Sequence, residues 1–349
     1  MSAILTLKRG AAWSLEKAGI PRLMRRLQYG RGAILMYHRV NDANDPFFPA
    51  LPSKVFEQQV DFLRRAYRVE PLDDVIRWLR SGAPGPARVA LTVDDGYQDT
   101  FDVVFPLLRQ KGVPATLFLS TAPVETGAPL WLDHLRALFK GTTAKAFACR
   151  TLGFAESPLE TASDRLRALK RVRTLLKQAG RRTVDDAMGE LASQLDAGGS
   201  ITLPTCLTWA QVGEMARGGI RIGAHTHRHY MLSRLDRDEA RAEIAQSVRL
   251  IEEKLGTAVR TFAYPNGEAS DYTPVTKALL AEMGLLAACS TRYGFARPGG
   301  DPFDLPRLET SERWLPLFAC HMAGITRKQP PSSRSGVLPP GPFHAAEAT

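Results

Sequence analysis

The sequence predicts an α/β protein whose mainly parallel sheet closes into a barrel or near-barrel. Three observations carry this. Short apolar runs recur without strict alternation, which marks strands buried on both faces. Amphipathic helix patterns separate them. Several runs end directly in polar clusters, at the strand ends where parallel α/β folds bind their ligands.

Strands are expected at 33–37 (AILMY), 87–93 (ARVALTV), 114–120 (PATLFLS), 219–224 (GIRIGA), 260–264 (RTFAY) and 284–290 (GLLAACS). Phe56, Val60 and Leu63 form one helical stripe, and Leu72, Val75, Ile76 and Leu79 a second. Ile244, Val248, Ile251 and Leu255 form a third, closed by Gly256 as its C-terminal cap. With 349 residues there is room for one large α/β domain or two ordinary ones. We place one domain at 31–325. The stretch 131–204 breaks its rhythm and reads as a helical insertion without a strand, rich in Arg and Lys (RLRALKRVRTLLKQAGRR, 165–182). It suits a lid or a partner surface.

Residues 1–30 read as a basic amphipathic helix, with Leu5, Trp13, Leu15, Ile20, Leu23 and Met24 among six Lys/Arg. Such a helix either lies on a membrane surface or packs on its own domain. Residues 326–349, rich in Pro, Ser and Gly, are expected to be disordered. There is no apolar run with a cleavage site near the start and none of membrane-spanning length. The expectation is therefore a cytoplasmic protein, peripheral to the inner membrane if residues 1–30 touch it. The four cysteines form no CxxC and fit reduced thiols.

A formal charge of +10 and a pI near 9.6 admit an anionic partner. No stretch alternates cations with aromatics as a base-stacking surface would, so nucleic acid is not expected. Nothing in the sequence specifies an oligomeric state.

Asp94-Asp95-Gly96 follows the run VALTV. Adjacent carboxylates on an extended chain point in different directions, so one can bind a cation while its neighbour stays free. Gly96 permits the turn after the strand. The plainer reading, an N-cap, is weakened because Asp99 or Thr100 caps that helix equally well. His225-Thr226-His227-Arg228-His229 follows GIRIGA and holds three of the seven histidines in five positions. Spaced four apart, His225 and His229 face one side on a helical turn, as a divalent metal requires. With one carboxylate they make a His₂Asp set that leaves positions open for water and substrate.

VDDG (93–96), HTHRH (225–229) and FAYPNG (262–267), in that order, resemble the first three motifs of the NodB-homology polysaccharide deacetylases, carbohydrate esterase family 4. The resemblance spans roughly residues 32–310 and implies a distorted (β/α)7-type barrel. It also implies removal of N-acetyl groups from a glycan, releasing acetate. Asp94 resembles the general base of that family. Asp95, His225 and His229 resemble its metal ligands, usually for zinc and sometimes for cobalt or another divalent ion, while His227 points away. Asn266 resembles the position whose backbone N–H serves the oxyanion, and Pro265 and Tyr97 are expected beside the substrate.

Two departures stand out. An arginine usual in the third motif is replaced by Ala263, and Arg307 in DLPRLE is the candidate substitute, against the alternative of a surface arginine. A late Leu-x-His motif lacks a convincing copy, since His321 in LFACHMA has the wrong surroundings. MYHRV (36–40) instead offers His38 as general acid and resembles the circularly permuted branch, which includes exopolysaccharide poly-N-acetylglucosamine deacetylases. Trp131, Trp209 and Trp314 are candidates for stacking on sugar, although Trp209 also suits a helix start. Two other functions remain open: hydrolysis of another amide or imide, and a non-catalytic glycan-binding or assembly role.

Overall fold

The structure is a computed structural model describing residues 3–195 and 203–325; the expected disorder at 326–349 lies outside them. Ten strands are described: β1 (Gly32–Tyr37), β2 (Arg68–Val69), β3 (Arg88–Asp95), β4 (Ala115–Leu119), β5 (Ala146–Cys149), β6 (Phe154–Pro158), β7 (Arg221–Ala224), β8 (Thr261–Ala263), β9 (Ala287–Tyr293) and β10 (Leu305–Glu309). The order β1-β10-β9-β8-β7-β4-β3 returns to β1 through a parallel β1–β3 ladder, so seven parallel strands close a barrel. β2 pairs with β3 outside that ring. All six expected strands are among the seven. The seventh, β10, was not expected from sequence: Pro306, Arg307 and Glu309 hide it, and only Leu305 and Leu308 are apolar.

The helices in chain order are α1 (Ala3–Lys17), α2 (Ile20–Arg26), α3 (Ser53–Ala66), α4 (Leu72–Ser81), α5 (Phe105–Lys111), α6 (Thr121–Thr126), α7 (Trp131–Gly141), α8 (Ala162–Leu176), α9 (Arg181–Leu195), α10 (Trp209–Arg217), α11 (Arg237–Leu255), α12 (Pro274–Glu282) and α13 (Leu315–Met322). The three stripes read from sequence fall on α3, α4 and α11, with Gly256 left-handed at the end of α11. Strand alternation sorts the core. Leu35, Val89, Leu91 and Val93 pack outward on α3 and α5, while Ile34, Ala90, Phe118, Ala263, Cys289 and Leu305 cluster with Leu72, Val75, Ile76 and Leu79 of α4. α4 thus plugs the end opposite the polar strand termini. The interior is narrow: a Cβ on Gly223 would meet the Phe118 ring at 2.6 Å and the Thr261 carbonyl at 2.9 Å.

Two expectations need correction. Residues 1–30 are not one helix, because Gly19 sits at φ 72° and Pro21 restarts the chain as α2. α1 packs on α13, burying Ala12 against Leu317 and Cys320. The stretch 131–204 does contain strands. Phe147, Cys149 and Phe154 turn inward, Gly153 takes φ 59°, and β5 and β6 pair as an antiparallel hairpin. The alternation was too short to stand out beside the helices. This hairpin joins α7, α8 and α9 in a separate apolar core, with Leu138, Phe139, Val172, Leu176 and Leu191 fully buried.

Candidate active site

The barrel's polar end opens into a cleft of about 460 Å³, lined among others by His38, Asp94, Asp95, Tyr97, Arg136, Arg173, Lys177, His225, His229 and Asn266. That volume falls in the range of small-ligand sites. Asp94 and Asp95 end β3, His38 follows β1, and His225 follows β7. Closing the ring brings three distant segments together.

Asp95 Oδ1 lies 3.4 Å from His225 Nε2 and 3.3 Å from His229 Nε2. All three side chains are buried, and their ligand atoms lie within 4.8 Å of one another. Asp95 Oδ1 has no well-formed hydrogen bond although water cannot reach it. A buried carboxylate oxygen left without a partner between two imidazoles is costly, and a divalent cation is what such a donor set satisfies. His225 Nδ1 lies 2.7 Å from the Ala263 carbonyl, which takes the Nδ1 proton and turns the Nε2 lone pair toward the centre. Burial pushes the Asp95 carboxyl up, and His225 and His229 more than reverse this, leaving it well below its ordinary value.

The histidine segment is not the helical turn expected from its spacing. Residues 225–229 form an irregular loop with Thr226 at φ 61° and His229 at φ 63°. The local bend, not a helical repeat, brings the rings to 4.8 Å between centroids. Asp95 and Asn266 also have positive φ, so among the described residues four of the five non-glycine positions with positive φ lie at this site. Such strain persists where surroundings over-determine it. Here Ser120 Oγ donates to the His225 carbonyl, Arg228 N–H to buried Glu243, and the Trp131 indole to the His229 carbonyl. His227 turns away, its Nδ1 2.9 Å from Thr121 Oγ1.

Arg307 is no surface arginine. It is fully buried in the barrel and grips Asp94 with both terminal nitrogens, Nη1 at 2.8 Å from Oδ1 and Nη2 at 2.7 Å from Oδ2. Its Nε donates to the Ser290 carbonyl and Nη1 also to Thr92 Oγ1. A forked guanidinium fixes a carboxylate's orientation as well as its charge. Burial alone would raise the Asp94 carboxyl; Arg307, His225 and His38 hold it below its ordinary value. His38 is 45% exposed, with Nε2 3.9 Å from Asp94 Oδ2. His321, on α13, does not line the cleft.

Other expected residues divide. Asn266 lines the cleft, with its side chain tied to Lys177 and Asp271 and its carbonyl accepting from Thr291. Asparagine tolerates the left-handed φ of 59° better than most residues. Pro265 is buried beneath that turn and does not line the cleft, because the bend carries only its successor to the surface. Tyr97 presents its ring, but its hydroxyl is committed to Asp133 at 2.8 Å. Trp131, Trp209 and Trp314 are not among the lining residues. Trp131 braces the histidine loop, Trp209 opens α10 against Glu125, and Trp314 packs on α13 near Arg9.

The sequence reading missed several contributors. Asp99 accepts from Arg39, Asn41 and the Val40 N–H, clamping the loop that carries His38. Arg136, Arg173 and Lys177 come from α7 and α8 and its end, in the insertion. Arg173 and Lys177 each follow a buried apolar residue of α8, Val172 and Leu176, a pattern that places them at the edge of the packed stripe.

A model of the polysaccharide deacetylase family matches residues 81–288. YxkH of Bacillus subtilis (strain 168) is 31% identical over 88 residues, spanning 25% of this chain and 30% of that protein. Among solved structures, IcaB from Ammonifex degensii aligns with a TM-score of 0.55 at 20% identity, covering 84% of this chain and 97% of that one. The Streptococcus pyogenes deacetylase PplD, solved with acetate, gives 0.54 at 19%, covering 80% and 92%. A de-N-acetylase from Aggregatibacter actinomycetemcomitans gives 0.53 at 16%, covering 81% and 96%. At these identities the structures speak for the barrel alone; the family match, over more than half the sequence, places this chain in the polysaccharide deacetylase family.

Proposed function

We propose that the chain is a metal-dependent N-deacetylase of amino sugars in a glycan or glycan precursor. One observation carries this reading. A buried His₂Asp triad stands beside a second carboxylate, Asp94, that is not one of its three members and is held by Arg307. A divalent cation at Asp95, His225 and His229, zinc by its donor set or else cobalt or another divalent ion, supplies the Lewis acidity that polarises an amide carbonyl.

Asp94 takes a proton from the water that attacks the acetamido carbon. Arg307 keeps the carboxylate ionised and aimed for that transfer. The Asn266 backbone N–H is assigned to the oxygen that becomes negative. His38 gives a proton to the departing nitrogen, because an unprotonated amine leaves poorly. One water and one amide thus yield acetate and a free amino sugar. His38 at the end of β1 supports placement in the circularly permuted branch.

The test is acetate release from N-acetylglucosamine oligomers by protein stripped of metal and then resupplied. Activity should return with a divalent ion. Asp94→Asn should keep the metal while losing about 10²–10⁴ in turnover. Glycan binding without acetate release under those conditions would replace this reading with the non-catalytic one, and turnover of small imides alone with the other amide chemistry.

Residues 1–30 are proposed to touch an anionic membrane surface. Trp13, Leu23, Leu27 and Tyr29 are each more than half exposed and stand among Lys17, Arg22, Arg25 and Arg26. No helix among the described residues is long and apolar enough to cross a membrane.

A further inference from the structure

The cleft has two unlike walls. The barrel supplies the triad and the Asp94–Arg307 pair. The insertion supplies Arg136 from α7, Arg173 from α8 and Lys177 just beyond it. Arg173 and Lys177 are four residues apart, so both face one side of the same turn. All three are half-buried.

Their charges are not balanced locally. Arg136 is matched by buried Asp133, 2.8 Å away. No carboxylate lies at ion-pair distance from Arg173 or Lys177 among the described residues, and Lys177 donates instead to the neutral Asn266 amide. Asp271 and Glu268 act on Lys177 from a distance, Asp271 accepting from the Asn266 amide and the Glu268 N–H rather than from Lys177 itself. With Asp133 on Arg136 and these two beyond ion-pair distance, Arg173 and Lys177 hold their charges at low exposure without a direct carboxylate partner. Like charges so placed repel, and burial together with Arg136 lowers the Arg173 guanidinium. Burial, followed by Arg173, pushes the Lys177 ammonium down to about 8. Such a cluster is stabilised by an anion placed between its members. Arginine forks suit phosphoryl oxygens in particular.

We propose that Arg136, Arg173 and Lys177 bind a phosphoryl group carried by the substrate, so that the N-acetyl sugar deacetylated here is a phosphate or diphosphate ester rather than part of a neutral polymer. This rests on the deacetylase reading and narrows it. The acetamido group lies at the triad while the phosphoryl group lies on the insertion wall, with Asn266 contacting Lys177 between them.

The test compares kcat/KM of the metal-loaded protein on five substrates. These are N-acetylglucosamine 1-phosphate, a nucleoside-diphosphate N-acetyl sugar, a polyprenyl-diphosphate N-acetyl sugar in detergent micelles, a neutral N-acetylglucosamine oligomer, and an oligomer bearing glucuronate. At least one phosphoryl substrate should exceed the neutral oligomer by about tenfold or more, the usual value of a charge-assisted contact. Whichever it is identifies the source of the group. Arg173→Met should reduce that preference by about tenfold and Arg173→Lys should retain most of it. A neutral or glucuronate oligomer preferred by wild type, or a preference that survives Arg173→Met, overturns the proposal. If no substrate releases acetate, the deacetylase reading fails, and calorimetric binding of N-acetylglucosamine 1-phosphate still decides the subsite. Weaker binding by Arg173→Met supports it and equal binding overturns it.

Discussion

Replacing Arg307 with methionine tests whether the buried ion pair sets the state of Asp94. Both partners are dry, Arg307 at 0% and Asp94 at 1% exposure, and two contacts of 2.8 and 2.7 Å join them. Stripping one member from such a pair costs about 3–5 kcal/mol, because the other charge stays buried alone. The protein can relieve this by protonating Asp94. At about 1.4 kcal/mol per pKa unit, the same energy corresponds to a rise of roughly 2–3.5 units. The carboxyl would then move from below its ordinary 3.8 to well above it. The sign follows. In the wild type the stabilisation from ionised Asp94 is present above about pH 4 and is lost as pH falls through its lowered pKa. In Arg307→Met the folded pKa exceeds the unfolded one, so stability falls as pH rises from about 4 through the new value. Thermal unfolding at pH 5 and pH 8 should show the variant disproportionately weak at pH 8. The acid limb of its acetate-release profile should move up by about two units. Adding Asp94→Asn should recover much of the stability, since no buried charge remains. An unmoved limb with wild-type stability at pH 8 refutes the reasoning.

Other consequences are as direct. His225→Ala or His229→Ala should reduce divalent metal in the purified protein from about one ion per chain to nearly none by elemental analysis, with far-ultraviolet dichroism retained. Asp99→Asn should loosen the loop bearing His38 and lower kcat by about tenfold with little change in KM; paired with His38→Gln, the two losses should not add. Affinity for N-acetylglucosamine 1-phosphate should fall as pH rises through about 8, where Lys177 loses its proton beside Arg173, Arg136, Asp271 and Glu268, and Lys177→Met should flatten that step. Gly223→Ala should destabilise the fold by about 1–3 kcal/mol in denaturant titration, because neither the Phe118 ring nor the Thr261 carbonyl has room to retreat.

What the sequence made legible depended on how local the signal was. Six barrel strands are continuous apolar runs, so their burial on both faces is written in consecutive residues. β10 is not, because its work is polar: it places Arg307 inside the barrel with only two leucines to mark it. The triad was legible because a carboxylate pair and a histidine cluster each follow a strand, and strand ends of a parallel barrel meet. The conformation joining those histidines was not, since positive φ at Thr226 and His229 leaves no trace in their spacing. The basic wall was visible as composition but not as a site. Its position depends on how the insertion's separate core seats α7 and α8 over the barrel, which no local pattern encodes.

The Ala263 position carries a wider lesson. An alignment that scores this column by its side chain would read alanine as the loss of a working part. Yet the carbonyl at 263 aims His225, and the guanidinium that holds Asp94 comes from another stave, two strands further round. A side chain reaching Asp94 from any stave can place the same charge beside it, so such sites are better compared by which atoms surround the carboxylate than by which letter occupies a column.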